Sequence, residues 1–255
     1  MIGKGFTIAI SGKGGVGKTS FSAFLIKCLS KHGSVMGIDA DPDANLAESL
    51  GVQVDKTVGY VREKILNSSS RSPDSENRAE ALERSLHEVV EEGEAFDLIV
   101  MGRPEGVGCY CAVNHIIREV IDQRAVSYDF TVIDCEPGLE HLSRRTTKDI
   151  DLMIVVSDVT KNGILTARRI KELRLELAIT FGKVIVVVNK IGPEMIDPLN
   201  KMAGGEGIEI SGYIPDDPLL AEASFLGRSL MGISESSIAY TEVCKFCENF
   251  ILQKY

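Results

Sequence analysis

Two groups of residues in this sequence are spaced for chemistry. The first is Gly12-Lys-Gly-Gly-Val-Gly-Lys18-Thr19, followed by Ser20, which fits the pattern G-x-x-x-x-G-K-[ST]. Gly12, Gly14, Gly15 and Gly17 let the chain turn its amides inward as an anion nest, with Lys13 and Val16 between them. Lys18 can then reach β and γ phosphates, and the Thr19 hydroxyl can ligate magnesium. The second group is Cys109-Tyr110-Cys111. Cysteines two apart in an extended segment point the same way, and their geometry is poor for bridging to each other. Two thiolates supply half of a tetrahedral soft-metal site, so a two-fold dimer would complete it. On spacing alone, a pair of reduced structural cysteines remains the simpler account.

Carboxylates stand where such a loop needs them. Asp39 and Asp41 follow one apolar run, and Asp134 ends another. Acidic groups at strand C-termini of an α/β sheet sit near the ligand crevice. Asp43 reads as a turn or cap residue. Asn189-Lys190 closes a further run, but the fourth position of N-K-x-D is Gly192, with no side chain to accept from guanine. Adenine is therefore favoured, giving ATP and ADP with Mg2+ as the expected cofactors.

These residues need a scaffold, and the apolar pattern predicts one. The runs 7–10, 35–38, 98–101, 131–133, 152–156 and 184–188 suit strands buried on both faces. Phe21, Phe24, Leu25, Cys28 and Leu29 recur at helical spacing, with Gly33 as the stop. A second helix is expected from Gly163 to Thr180, capped by Asn162. Strand–helix alternation implies an α/β, doubly wound, mostly parallel sheet with helices on both faces.

The 255 residues suit a single domain over 1–255, interrupted by a polar loop near 67–78 that is expected to be mobile. The net charge of −9 disfavours non-specific nucleic-acid binding. The short basic stretch Arg144, Arg145 and Lys148 reads as a solvated face. With no signal-peptide pattern and no long apolar run, neither membrane nor nucleic acid is an expected partner, and a cytoplasmic location is expected. Cys244 and Cys247 lie on an amphipathic C-terminal segment and read as core cysteines, as does Cys135. His115 and His141 read as ordinary hydrogen-bonded histidines.

The loop with its extra Lys13 resembles the deviant Walker A loop of the MinD/ParA/nitrogenase-iron-protein class of P-loop NTPases. Gly108-Cys-Tyr-Cys111, Gly138-Leu-Glu-His-Leu-Ser-Arg144 and Asn189-Lys190 together resemble the CooC-type nickel-maturation ATPases of carbon monoxide dehydrogenase. The class resemblance implies that Lys13 crosses a dimer interface to a partner's nucleotide and that Asp41 orients the attacking water. It also implies that Asp39 and Asp134 hold the magnesium shell, that Gly138 offers an amide to the γ phosphate, and that the Pro215 loop packs on adenine. The CooC resemblance implies Ni2+ or Zn2+ at Cys109 and Cys111, shared across an ATP-dependent homodimer. The target would be carbon monoxide dehydrogenase or acetyl-CoA synthase. Two other readings within the class are a MinD- or ParA-like positioning ATPase and an iron–sulfur reductase like the nitrogenase iron protein.

Overall fold

The computed structural model describes residues 5–61, 63, 88–102, 127–137, 149–173 and 180–253. Among these residues eight strands form one sheet: β1 (Phe6–Gly12), β2 (Val35–Asp39), β3 (Val90–Glu92), β4 (Asp97–Val100), β5 (Phe130–Asp134), β6 (Asp149–Ser157), β7 (Thr180–Asn189) and β8 (Ile210–Ile214). Their order is β3-β4-β2-β5-β1-β6-β7-β8. Among the described residues only the β3–β4 pair is antiparallel. The direction of winding reverses at β1, which lies between β5 and β6, and such reversals open the ligand crevice of doubly wound sheets.

Both faces of the sheet are covered, which is why the six strands between the edge strands β3 and β8 carry continuous apolar runs. Ile8 and Ile10 of β1 enter the layer containing α1 (Lys18–Leu29) and α6 (Ile238–Cys247). Ala9 enters the opposite layer with α3 (Lys161–Leu173) and α4 (Ile196–Gly205). Two shorter helices, α2 (Asn45–Leu50) and α5 (Pro218–Phe225), lie beyond the ends of β2 and β8. Among the described residues no helix is long and apolar enough to cross a membrane.

Three local expectations need correction. First, α3 starts at Lys161 and not Gly163, because the Thr160 hydroxyl, and not Asn162, accepts from the Gly163 amide at 3.1 Å. Thr180 does not end that helix; it opens β7, which pairs with β6 from Asp149↔Thr180 onward. Secondly, Gly33 is no left-handed helix stop. A Cβ there would stand 2.7 Å from Asp129 Oδ2, the oxygen that accepts from the Ser34 amide at 2.8 Å. Thirdly, α1 is not one-sided: Ser22, Ala23 and Ile26 are as buried as the predicted apolar face. It packs against the sheet, α2 and α6 together.

The polar stretch 67–78 lies outside the described residues, as do Cys109, Cys111, His115, Gly138, His141, Arg144, Arg145 and Lys148.

Candidate nucleotide site

The Gly-rich loop joins the end of β1 to the start of α1. Gly12, Gly15 and Gly17 all have positive φ, at 149°, 79° and 89°. α1 begins at Lys18 without a side-chain cap or a first-turn acid, so its N-terminal dipole faces the loop uncompensated. Lys18 is buried and its ammonium donates to the Lys13 carbonyl at 3.3 Å, spanning the loop from inside. The Lys13 side chain leaves the loop in the other direction. Its Nζ stands 3.8 Å from Asp158 Oδ2, with the lysine about half exposed.

Asn189 sits beneath this loop. Its amide Nδ2 donates to the Val16 carbonyl at 2.9 Å and would lie 2.3 Å from a Cβ at position 17. The side chain expected near the base therefore fixes the curvature of the phosphate loop. Lys190 follows in a left-handed conformation, exposed. Asn189 pairs in register with Ile214, which brings the Pro215 loop alongside Asn189-Lys190. Asp217, by contrast, serves the fold. It caps α5 through Leu219 N at 2.9 Å and accepts from Ala239 N at 3.0 Å.

Parallel pairing sets Asp39 level with Asp134, and Asp134 level with Ile10. Asp39 Oδ2 accepts from Leu46 N at 2.9 Å and Oδ1 from Asp41 N at 3.2 Å, so Asp39 does the capping work at α2. Asp43 is a turn residue whose amide donates to Asp41 Oδ1 at 3.0 Å. The Ser22 hydroxyl lies 3.0 Å from Asp134 Oδ1. Sequence reading missed Ser22; its signal was its position one helical turn beyond Lys18 and Thr19.

Burial, with Asp134 close by, pushes the Asp39 carboxyl up to about 7. Burial raises Asp134 to about 6, opposed by the Thr19 and Ser22 hydroxyls and by Lys18. Two buried carboxylates beside two hydroxyls form an oxygen donor set suited to a hard divalent cation. Among the described residues no three His, Cys, Asp or Glu side chains converge into an all-protein metal cage. Asp41, Pro42, Asn45, Glu136 and Pro137 complete a cavity of about 620 Å³ over the loop, large enough for a nucleotide's phosphates.

The raised carboxyls give a prediction for the metal-free protein. Its folded state holds protons on Asp39 and Asp134 that the unfolded chain releases near pH 4. Their contribution is therefore present below about pH 4 and is lost as pH rises toward about 7. Thermal melts without metal should show Asp39→Asn losing less stability than wild type between pH 5 and 7.5, by several degrees. Parallel pH profiles would refute this assignment.

The remaining described cysteines belong to the fold. Cys28 and Cys247 are buried where α1 meets α6, with Cys244 half-buried beside them. Cys135 is buried next to Asp134, and desolvation pushes its thiol far up.

A Gly-rich loop between the central strand and its helix, with level carboxylates on neighbouring strands, defines a P-loop ATPase of the α/β class. Residues 7–230 match the family described as CbiA, the CobQ/CobB/MinD/ParA nucleotide binding domain, and the chain belongs to that family. An uncharacterised ATP-binding protein of Methanocaldococcus jannaschii is 45% identical over 251 residues, spanning 97% of this chain and 99% of the relative. The carbon monoxide dehydrogenase accessory protein CooC of Rhodospirillum rubrum is 29% identical over 242 residues, with 89% and 90% covered. The Pyrococcus horikoshii septum site-determining protein MinD, solved with Mg-ADP, superposes with a TM-score of 0.68 at 20% identity, covering 97% of each chain. That superposition establishes the shared fold.

Proposed function

We propose that this single-domain ATPase is a metal-delivering maturation factor. It binds Ni2+ or Zn2+ through Cys109 and Cys111 of two copies and serves carbon monoxide dehydrogenase or acetyl-CoA synthase. In this reading Lys18, the loop amides and, separately, the Gly138 amide hold ATP, and Pro215 borders the adenine. Thr19, Asp39 and Asp134 hold magnesium, which supplies charge neutralisation between the β and γ phosphates. Asp41 accepts a hydrogen bond from the water attacking the γ phosphorus. Lys13 of each copy reaches the other copy's phosphates.

The observation that carries the reading is the outward course of Lys13. Lys18 already occupies the inside of the loop, whereas Lys13 stands at the rim, half exposed. A lysine so placed suits charge stabilisation across a symmetrical contact, as an arginine finger does. Closure of such a contact would bring four thiolates together, and metal affinity would then depend on nucleotide state, and nucleotide affinity on metal. Kinship to CooC over nearly the whole chain supports the choice of metal chemistry.

Titrating Ni2+ and Zn2+ into anaerobic protein with ATP tests this. Wild type should take up about one ion per two chains. The Cys109→Ser/Cys111→Ser variant should lose that site while keeping ATP binding. Equal affinity and stoichiometry in the two proteins would refute it.

A further inference from the structure

We propose that Asp158 is a positioning residue for Lys13, holding that lysine on its own chain until a second copy's nucleotide takes it. The proposal rests on the dimer reading above and adds the residue that competes with it.

Asp158 directly follows β6, and Val156 of that strand pairs in register with Gly12. The chain ends leaving β1 and β6 therefore bring residues 13 and 158 together, although they are far apart in sequence. The carboxylate is divided between two tasks. Oδ1 accepts from the Thr160 amide at 3.0 Å and from the Thr160 hydroxyl at 2.5 Å. Oδ2 stands 3.8 Å from Lys13 Nζ.

The seat is built into the backbone. A Cβ at position 163 would lie 2.3 Å from Asp158 Oδ1, so glycine in the first turn of α3 makes room for the carboxylate. Thr160 is itself fixed, because its hydroxyl takes the Gly163 amide. A side chain immobilised on one oxygen presents the other in a set direction, so the ion pair needs only Lys13 to be ordered.

The contact is weak by design of its surroundings. Asp158 is 30% exposed and Lys13 47%, so solvent screens the pair. An exposed pair shifts an equilibrium by about 1.5- to 5-fold. A triphosphate carries more charge than one carboxylate and would draw the lysine away. A symmetrical dimer breaks two such pairs, so together they oppose closure by about 2- to 25-fold.

Asp158→Asn tests this cleanly. The amide oxygen can keep both Thr160 bonds, while an uncharged NH2 replaces the oxygen facing Lys13. Sedimentation with a non-hydrolysable ATP analogue should show Asp158→Asn dimerising at about 2- to 25-fold lower chain concentration than wild type at low salt. The gap should close in molar salt. In a Lys13→Ala background the Asp158→Asn change should have no effect, because the partner is gone. A variant that dimerises like wild type or more weakly, or one whose effect persists without Lys13, would overturn the latch while leaving the dimer reading intact. Wild type that stays monomeric with the analogue would overturn both.

Discussion

Alanine at position 13 is expected to lower kcat for ATP hydrolysis by about 10³-fold while changing ATP affinity only a few-fold. The asymmetry follows from where the two lysines of the loop point. Lys18 is buried and spans the loop to the Lys13 carbonyl, and in the proposed mechanism it serves ground-state phosphate binding. The Lys13 ammonium lies outside, against Asp158. Its removal costs the resting fold at most about 1 kcal/mol, the ceiling for a half-exposed pair. The expected loss in hydrolysis is about 4 kcal/mol. The two figures separate a catalytic role in trans from a structural one. Single-turnover hydrolysis, ATP binding and thermal melts on the same Lys13→Ala protein measure all three quantities. Retention of near-normal kcat would remove the lysine from the chemistry. A large fall in melting temperature would reassign it to the fold.

Gly12→Ala should fail differently, by preventing the sheet from closing. Gly12 has φ 149°, and a Cβ there would lie 2.1 Å from the Val156 carbonyl oxygen. That atom is backbone of β6, paired with Gly12 in the middle of the sheet, so no side-chain rotation relieves the clash. The expected cost exceeds about 4 kcal/mol, a large share of the roughly 5–15 kcal/mol that holds a domain folded. Gly14→Ala is the matched control, since its Cβ would meet nothing nearer than Pro137 Cγ at 3.8 Å. Circular dichroism and soluble yield should show Gly14→Ala folded and Gly12→Ala largely unfolded. A Gly12→Ala protein within about 1 kcal/mol of wild type would disprove this account of the β1–β6 contact.

How much of this was legible in the sequence depends on how far apart the partners lie. The phosphate loop is eight contiguous residues, and its glycines act through local backbone freedom, so the pattern gave its location and its chemistry. The buried strands were legible because strands covered on both faces are dominated by apolar residues. The start of α3 was misread because Thr160 and Asn162 are both good caps. The choice between them depends on where β6 stops, at Ser157. The full burial of α1 was hidden in the same way, since small residues such as Ser22 and Ala23 do not announce a second packing face.

What the chain by itself determined is the set of local devices: a loop that turns amides inward, apolar strands that end in aspartate, and a lysine pair within one loop. Only the tertiary structure decided which of these meet. Asp39 and Asp134 stand side by side because β2 and β5 are neighbours in level register. Ser22 serves Asp134 across 112 positions, Asn189 holds Val16 across 173, and Asp158 faces Lys13 because β6 flanks β1. Short-range sterics write conformation into adjacent residues. Strand order is settled by burying the whole apolar surface at once, and no single segment encodes that.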